Sequence, residues 1–294
     1  MARPHTPSRL QMQAVRLLLR DAAAKLKQAG IDTPVLDAEV MLARTLDRSR
    51  TFLLAHPDFE PPCEAVEKFI GWVSRRSQRE PLAYIIGERE FYGISFEVTP
   101  AVLVPRPETE TLVETAMGLL EGIIRPIVAE IGVGSGAVAI SIAKAVPDVL
   151  VYATEPSASA LEVARRNVER VGVSDRVRLL EGDLIEPLAG LSFDLIISNP
   201  PYIPSDEIDD LQPEIAKYEP RQALDGGPDG LKYFRRLSAD APRHLKTGGV
   251  LAVEVGDGQA AAVKELFQAR GLVGVHSVHD YGGIERVVLG ERQG

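Results

Sequence analysis

The sequence predicts an α/β protein: a mainly parallel sheet with an antiparallel C-terminal edge, preceded by a small helical bundle and a β-hairpin. From residue 126 onward, short apolar runs alternate with helical segments, which is typical of a parallel sheet covered on both faces. Before residue 80, apolar positions repeat only with the helical period of 3.6. Near the C-terminus, two strand-like runs flank Gly282 and Gly283, which predicts a closing hairpin.

Each predicted element follows from its own pattern of apolar residues and breakers. Pro34, Pro61 and Pro62 mark helix starts in the N-terminal bundle, and Gly30 marks a helix end. The bundle helices are predicted at 10–29, 34–46 and 63–79. The strands of the sheet are predicted at 126–131, 149–154, 177–180, 193–198 and 249–255, with helices at 136–145, 157–171 and 230–245.

These patterns divide the 294 residues into three predicted parts. Residues 1–80 form the helical domain, residues 81–110 a β-hairpin linker, and residues 111–294 the α/β domain. The linker is predicted from aromatic and β-branched runs around Gly87 and Gly93.

Composition excludes several classes of protein. The net charge of −9 argues against a protein that binds nucleic acid by covering phosphates, so no direct nucleic-acid partner is expected. No apolar run reaches the roughly 18 residues of a membrane span, and no membrane partner is expected. The single cysteine, Cys63, allows no internal disulfide and indicates a reducing, cytoplasmic setting. The five histidines are scattered, and no metal site is predicted.

A glycine-rich loop follows the first strand of the predicted sheet and opens a helix. It runs from Glu130 through Gly132, Gly134 and Gly136. Glycines let the backbone approach a ligand, and the helix N-terminus is expected to present free N–H groups. The spacing fits a Rossmann-like dinucleotide fingerprint, but this motif alone is weak.

Acidic residues at three consecutive strand ends sharpen the prediction. Glu155 can accept both hydroxyls of a ribose, Glu130 suits an ammonium group, and Asp183 can contact an adenine amino group. Three carboxylates at the carboxyl edge of one sheet favour a cationic cofactor. We therefore prefer S-adenosylmethionine over NAD as the predicted cofactor.

The motif Asn199-Pro200-Pro201-Tyr202 ends the strand FDLIIS at the same edge. Its two prolines make the turn rigid and remove two backbone donors. The side-chain oxygen of Asn199 and the carbonyl of Pro200 can accept the two N–H bonds of a planar amino group, beside the flat face of Tyr202. Such a site suits an amide or exocyclic amine, whose lone pair it directs towards a methyl donor.

Several motifs in order resemble a known family, the N5-glutamine methyltransferases of peptide chain release factors (HemK-type proteins). They are EPLAYIIGEREFYG at 80–93, VPRPETE at 104–110, the glycine loop, ISNPPYIP at 197–204, YEPRQALDGGPDGL at 218–231 and DYGGIERVVLG at 280–290. The resemblance covers nearly the whole chain. It implies methylation of the glutamine in the Gly-Gly-Gln loop of release factors, by a monomer whose helical domain docks that substrate.

The resemblance also implies roles for individual residues. Asn199, Pro200 and Tyr202 are expected to be catalytic. The expected cofactor-binding residues are Glu130, Gly132, Val133, Gly134, Ser135, Gly136, Glu155, Asp183, Leu184 and Asn199. The expected substrate-binding residues are Asn199, Pro200, Pro201, Tyr202, Phe91 and Arg106. The chain departs from the family at Glu130 and Glu155, where Asp is usual, and at Leu184, where an aromatic is frequent.

Other acceptors remain open. A sibling family that methylates a ribosomal-protein glutamine shares the Asn-Pro-Pro-Tyr motif, although VPRPETE favours the release-factor branch. Adenine or cytosine amino-methyltransferases use a similar turn, and the acidic charge counts against them. A noncatalytic S-adenosylmethionine- or NAD-binding module would not need this turn. Methyl transfer from a sulfonium requires positioning rather than a strong base or a metal.

Overall fold

The computed structural model describes residues 14–294, so the first four residues of the helix predicted at 10–29 lie outside the described part. The chain divides into two compact units, the first ending at Ile86 and the second spanning Gly87–Gly294. The division lies six residues beyond the expected boundary at residue 80, and the hairpin belongs to the second unit rather than to a separate linker. Within residues 14–294, no helix is long and apolar enough to cross a membrane.

The first unit is a helical bundle. Its helices are α1 (Val15–Gln28), α2 (Pro34–Thr45), α3 (Arg50–Ala55), α4 (Cys63–Arg76) and α5 (Leu82–Ile86). Apolar side chains such as Leu26, Met41 and Phe69 are fully buried between the helices. One ion pair is buried with them: Nε of Arg76 lies 2.7 Å from Oδ2 of Asp37.

The second unit begins with the predicted hairpin, β1 (Glu88–Phe91) and β2 (Ile94–Glu97), which pair antiparallel. A short 3-10 turn, Pro107–Thr109, then leads into α6 (Glu110–Leu120). The buried side chain of Asn167 ties the hairpin to the glycine loop. Its Oδ1 accepts the N–H of Glu97 at 2.7 Å, and its Nδ2 donates to the carbonyls of Glu97 at 2.9 Å and Ser135 at 2.8 Å.

The remaining elements build one seven-stranded sheet with helices on both faces. In chain order they are β3 (Ile127–Ile131), α7 (Ala137–Ala145), β4 (Leu150–Glu155), α8 (Ala158–Val171), β5 (Val177–Glu181), β6 (Phe193–Ser198), α9 (Pro213–Tyr218), α10 (Lys232–Asp240), β7 (Leu245–Glu254), α11 (Ala260–Ala269), β8 (Leu272–His279) and β9 (Glu285–Arg292). The strand order is β5-β4-β3-β6-β7-β9-β8. Strands β3 to β7 are parallel, while β9 runs antiparallel to both β7 and β8.

The predicted fold class is confirmed: a Rossmann-like, mainly parallel sheet with an antiparallel C-terminal edge, beside an N-terminal helical bundle. The sheet order reverses at β3, whose neighbours are β4 on one side and β6 on the other. Ligands of open α/β sheets bind outside the carboxyl ends of the strands at such a reversal. The topology therefore brings the residues that follow β3, β4, β5, β6 and β7 to one edge.

Candidate active site

A cavity of about 380 Å³ lies at this edge of the sheet, within the range of roughly 300–1,000 Å³ usual for small-molecule sites. It brings together most of the residues predicted from the sequence. The predicted residues that line it are Arg106, Glu130, Gly132, Val133, Gly134, Ser135, Glu155, Asp183, Leu184, Asn199, Pro200 and Pro201. Within residues 14–294, no group of three His, Cys, Asp or Glu side chains is arranged to hold a metal ion.

The glycine loop is shaped to face this cavity. Gly132 and Gly134 have φ angles of +81° and +52°, which favour glycine, and a Cβ built on either would meet no heavy atom within 4 Å. Both glycines line the cavity, so a side chain there would occupy space that is open for a ligand. A ligand in the cavity can therefore approach the backbone of the loop at both glycines.

Three N–H groups of the loop are bonded within the chain. The N–H groups of Gly132 and Val133 donate to the carbonyl of Thr154 at 2.9 and 3.0 Å, and that of Gly134 donates to Oε2 of Glu155 at 3.0 Å. The contacts fix the loop against the end of β4. Of the N–H groups expected to be free at the start of α7, that of Ala139 is bonded to Glu130.

Gly136 has a packing role rather than a lining one. Its N–H donates to the carbonyl of Val133 at 2.8 Å, and its φ is +85°. A Cβ there would lie 2.9 Å from Cδ1 of Ile140 and 3.7 Å from Cα of Ala164. The absence of a side chain at Gly136 therefore leaves room for Ile140 and Ala164 to pack next to the start of α7.

Two buried carboxyl groups stand beside the loop. Oε2 of Glu130 accepts the N–H of Ala139 in the first turn of α7 at 2.8 Å, and Oε1 of Glu155 accepts the N–H of Ser157 at 3.1 Å. Burial raises the pKa of Glu130 well above its ordinary value, and burial likewise raises the pKa of Glu155. Each carboxyl keeps lone pairs beyond these contacts, and both groups line the cavity. A cationic ligand would favour their ionised forms.

Asp183 lines the cavity from the end of β5, but it is already paired. Its Oδ2 lies 2.6 Å from Nη2 of Arg236 on α10, and both side chains are partly exposed. The next residue, Leu184, has φ at +49°, which turns the chain along the cavity wall. Sequence reasoning missed Arg236, since the pairing depends on α10 packing near β5.

Asn199 follows β6, and its amide is held from one side. Nδ2 of Asn199 donates to Oγ1 of Thr109 at 3.1 Å. Because this contact uses the amide nitrogen, the side-chain oxygen is the group left for a ligand. Just before it, Ser198 is buried and its hydroxyl donates to the carbonyl of Ile131 at 2.7 Å, which joins the end of β6 to the end of β3.

A buried acid behind this turn was not predicted. Glu254 ends β7 with 1% of its surface exposed, and burial raises the pKa of its carboxyl to about 7. Thr109 and Asn199 lie beside this carboxyl and act against that rise in its pKa. The signal available in the sequence is an acid within the otherwise apolar strand VLAVEV, but its partners became visible only once β7 was placed beside β6.

One predicted ligand-contacting side chain lies elsewhere, and its role is corrected. Phe91 is 2% exposed and packs in the hydrophobic core, edge-on to Phe96, so it does not wall the cavity. Tyr202 follows Pro201, which lines the cavity, and the role expected of Tyr202 stays a prediction. Its ring packs beside Gly256, where a Cβ would approach Cδ2 of Tyr202 to 3.1 Å, and its carbonyl accepts Nε2 of Gln259 at 2.9 Å. Burial raises the pKa of Tyr202 to about 12.

Arg106 lines the cavity as half of an ion pair. Its Nη2 lies 2.7 Å from each carboxylate oxygen of Glu219, whose side chain is 1% exposed. Burial raises the pKa of Glu219, and Arg106 acts in the opposite direction. The pair joins the VPRPETE segment to the YEPRQ segment, two motifs that the sequence alone could not connect.

Comparisons with known proteins agree with this fold. The chain matches the family model of the PrmC N-terminal domain over residues 18–87 and that of the methyltransferase small domain over residues 109–218. A crystal structure of a methyltransferase from Pyrococcus furiosus shares the fold, with 24% identity, a TM-score of 0.51, and coverage of 75% of this chain and 98% of that one. The second unit therefore contains a methyltransferase domain.

Curated relatives identify the branch. A release factor glutamine methyltransferase of Geobacter sulfurreducens is 43% identical over 280 residues, covering 95% of this chain and 97% of the relative. One from Moorella thermoacetica is 41% identical over 280 residues, covering 95% and 99%. The chain belongs to the release factor glutamine methyltransferase family.

Proposed function

We propose that this chain transfers a methyl group from S-adenosylmethionine to the side-chain amide nitrogen of the glutamine in the Gly-Gly-Gln loop of peptide chain release factors. One observation carries the proposal: Asn199 and Pro200 line the same cavity as the glycine loop, and the Asn199 nitrogen is held by Thr109. An acceptor for amide protons thus stands beside a cofactor-sized space.

The residues present fit S-adenosylmethionine. The cavity volume, the open space at Gly132 and Gly134, and the buried carboxyls of Glu130 and Glu155 suit a cationic nucleoside. Glu155 would hold the ribose hydroxyls, Glu130 the amino group of the methionine part, and Asp183 the adenine edge. When bound, S-adenosylmethionine supplies the electrophilic methyl group.

The chain's own contribution is to hold the acceptor. A glutamine amide nitrogen is a poor nucleophile because its lone pair is delocalised into the carbonyl. The Asn199 oxygen and the Pro200 carbonyl would accept its two N–H bonds and fix the nitrogen against the cavity. These oxygens would also stabilise the positive charge that develops on nitrogen before a proton is lost to solvent. No side chain needs to act as a strong base, and positioning supplies most of the acceleration.

The first unit is proposed to dock the release factor. Its exposed apolar side chains, which include Leu36 at 41%, Leu54 at 64% and Ile70 at 46%, are available for contact with another protein. Replacing Leu54 and Ile70 by Asp should lower methylation of intact release factor while methylation of a short Gly-Gly-Gln peptide stays unchanged. Equal loss on both substrates would contradict docking by this unit. We expect the enzyme to act as a monomer in the cytoplasm.

A labelling experiment tests the activity directly. The purified chain is incubated with methyl-labelled S-adenosylmethionine and, separately, with release factor, release factor whose loop glutamine is replaced by alanine, ribosomal proteins, or DNA. Label should enter only the release factor that keeps its loop glutamine. Label in ribosomal protein or DNA alone would overturn the proposal in favour of the sibling family or of a nucleic-acid amino-methyltransferase.

A variant completes that test. Asn199→Ala should abolish transfer, and calorimetry should show that S-adenosylmethionine still binds. Equal loss of cofactor binding would instead make Asn199 a cofactor ligand.

A further inference from the structure

The carboxyl ends of β6 and β7 bring an amide and a buried acid side by side. The strands are parallel, and their register pairs Ser198 with Val253. Asn199 and Glu254, one residue further along each strand, therefore lie next to each other at the edge of the sheet. Thr109, from the turn that precedes α6, reaches the same point and is itself 5% exposed.

Thr109 and Glu254 lie on the nitrogen side of the Asn199 amide. Nδ2 of Asn199 donates to Oγ1 of Thr109 at 3.1 Å, and both Asn199 and Thr109 lower the pKa of the neighbouring Glu254 carboxyl. An asparagine amide has two N–H bonds and one oxygen. With its nitrogen towards Thr109 and Glu254, the oxygen is left to face the cavity. The flipped amide would set its oxygen against the carboxyl.

Glu254 is costly to keep for stability alone. Its side chain is buried, and its Oε2 has no hydrogen-bond partner among residues 14–294. Burying a carboxyl with an unpaired oxygen is unfavourable, and an apolar side chain would be cheaper in an otherwise apolar strand. The charged and titratable groups that face it are Arg286 on β9, Glu108 in the turn before α6, and Tyr202 after β6. None of these supplies the missing partner.

We propose that Glu254 and Thr109 are positioning residues, which orient the Asn199 amide so that its oxygen is offered to the amide being methylated. This inference rests on the proposed function. The Glu254 carboxylate also polarises the Asn199 amide and makes its oxygen a stronger acceptor as positive charge develops on the substrate nitrogen. Glu254 and Thr109 thus act through Asn199.

Paired variants of Thr109 test the contact. Thr109→Val keeps the shape but removes the hydroxyl, and it should lower kcat about 10- to 100-fold by loosening the acceptor. The KM for S-adenosylmethionine should change little. Thr109→Ser restores the hydroxyl and should recover most of kcat. Thr111→Val is the matched control, since Thr111 is equally buried two residues away on α6 and does not line the cavity. Its kcat should equal that of the wild type.

Glu254→Gln tests the charge. The wild-type kcat should rise with pH through about 7 as Glu254 ionises, whereas the variant keeps a hydrogen-bonding side chain and should lose that rise. Thermal unfolding followed by circular dichroism shows whether each variant folds. The proposal is overturned if Thr109→Val keeps the wild-type kcat, if Thr109→Ser fails to recover it, or if the pH profile of Glu254→Gln matches the wild type.

One readout does not depend on the acceptor. The side-chain NH2 group of Asn199 should exchange slowly with solvent in the wild type, observed by NMR without substrate, and faster in Thr109→Val. If the wild type failed to methylate release factors but showed this difference, the proposed function would fall and the positioning of Asn199 would stand. Fast exchange in the wild type would refute the positioning itself.

Discussion

Replacing Arg106 by methionine should destabilise the second unit in a pH-dependent way. The change leaves the Glu219 carboxyl, 1% exposed, without the guanidinium that contacts both its oxygens at 2.7 Å. Removing one partner of a buried ion pair costs about 3–5 kcal/mol, and the lower end applies because Arg106 is itself 30% exposed. We therefore expect a loss of about 3 kcal/mol in the free energy of unfolding at pH 8.

The loss should shrink as the pH falls. Burial already raises the pKa of Glu219 while Arg106 lowers it, so removing Arg106 raises that pKa further. A folded-state pKa above the unfolded one means that the penalty is present at high pH and disappears once the folded carboxyl is protonated. The recovery is at most about 1.4 kcal/mol per pH unit, so the loss should be smaller at pH 6 than at pH 8.

Urea unfolding of the wild type, Arg106→Met, Glu219→Gln and the double variant at pH 6 and pH 8 measures this. Far-ultraviolet circular dichroism is the appropriate signal, because the single tryptophan, Trp72, belongs to the first unit. The double variant should be more stable than Arg106→Met at pH 8, since no charge remains buried. A loss of the same size at both pH values would refute the reasoning. A fully stable Arg106→Met that lost activity would return Arg106 to the substrate-binding role expected from the sequence.

Three further outcomes follow from the packing and the charges. Phe91→Ala should lower the free energy of unfolding in urea by about 3–5 kcal/mol, while the Kd for S-adenosylmethionine measured by calorimetry stays unchanged. Weaker cofactor binding at unchanged stability would contradict the place of Phe91 in the core. The affinity for S-adenosylmethionine should rise with pH, and binding should release protons. The reason is that burial raises the pKa of Glu130 and Glu155, and a bound cation favours their ionised forms. An affinity that does not change with pH, without proton release, would contradict contacts between the cofactor and these carboxyl groups. Arg76→Met should lower the free energy of unfolding of the first unit by about 3 kcal/mol, because it leaves the buried Asp37 carboxylate without its ion-pair partner. Urea unfolding followed by tryptophan fluorescence measures this, and an unchanged curve would show that the ion pair contributes little.

The parts of the fold that the sequence predicts well are those with local signals. The five parallel strands were expected within a few residues of their positions, except that β7 begins four residues earlier, because each is an apolar run bounded by breakers. The helices α3, α5, α9 and α11 were missed. Helices α3, α5 and α9 have only five or six residues each, and α3 is capped by the Ser49 side chain on the N–H of Phe52. Helix α11 lies in a segment without a strong start signal.

The parts of the site that could not be predicted depend on which strands become neighbours. The glycine loop and the Asn-Pro-Pro turn were found because strand ends of a parallel sheet share one edge. Glu254 was missed because its significance comes from the pairing of β7 with β6. Phe91 was expected at the pocket from the family resemblance, and the sequence of a four-residue strand does not reveal which face is buried. The sequence also does not reveal that the ring of Tyr202 packs beside Gly256.

The strand order places the predicted site residues on two halves of one sheet. Glu130, Glu155 and Asp183 belong to the β3, β4 and β5 half, while Asn199 and Glu254 belong to the β6 and β7 half. The seam between the halves is the β3–β6 pairing. With the roles proposed above, substitutions after β6 and β7 would change the acceptor side of the site and leave the proposed methyl-donor side, at the ends of β3, β4 and β5, unchanged.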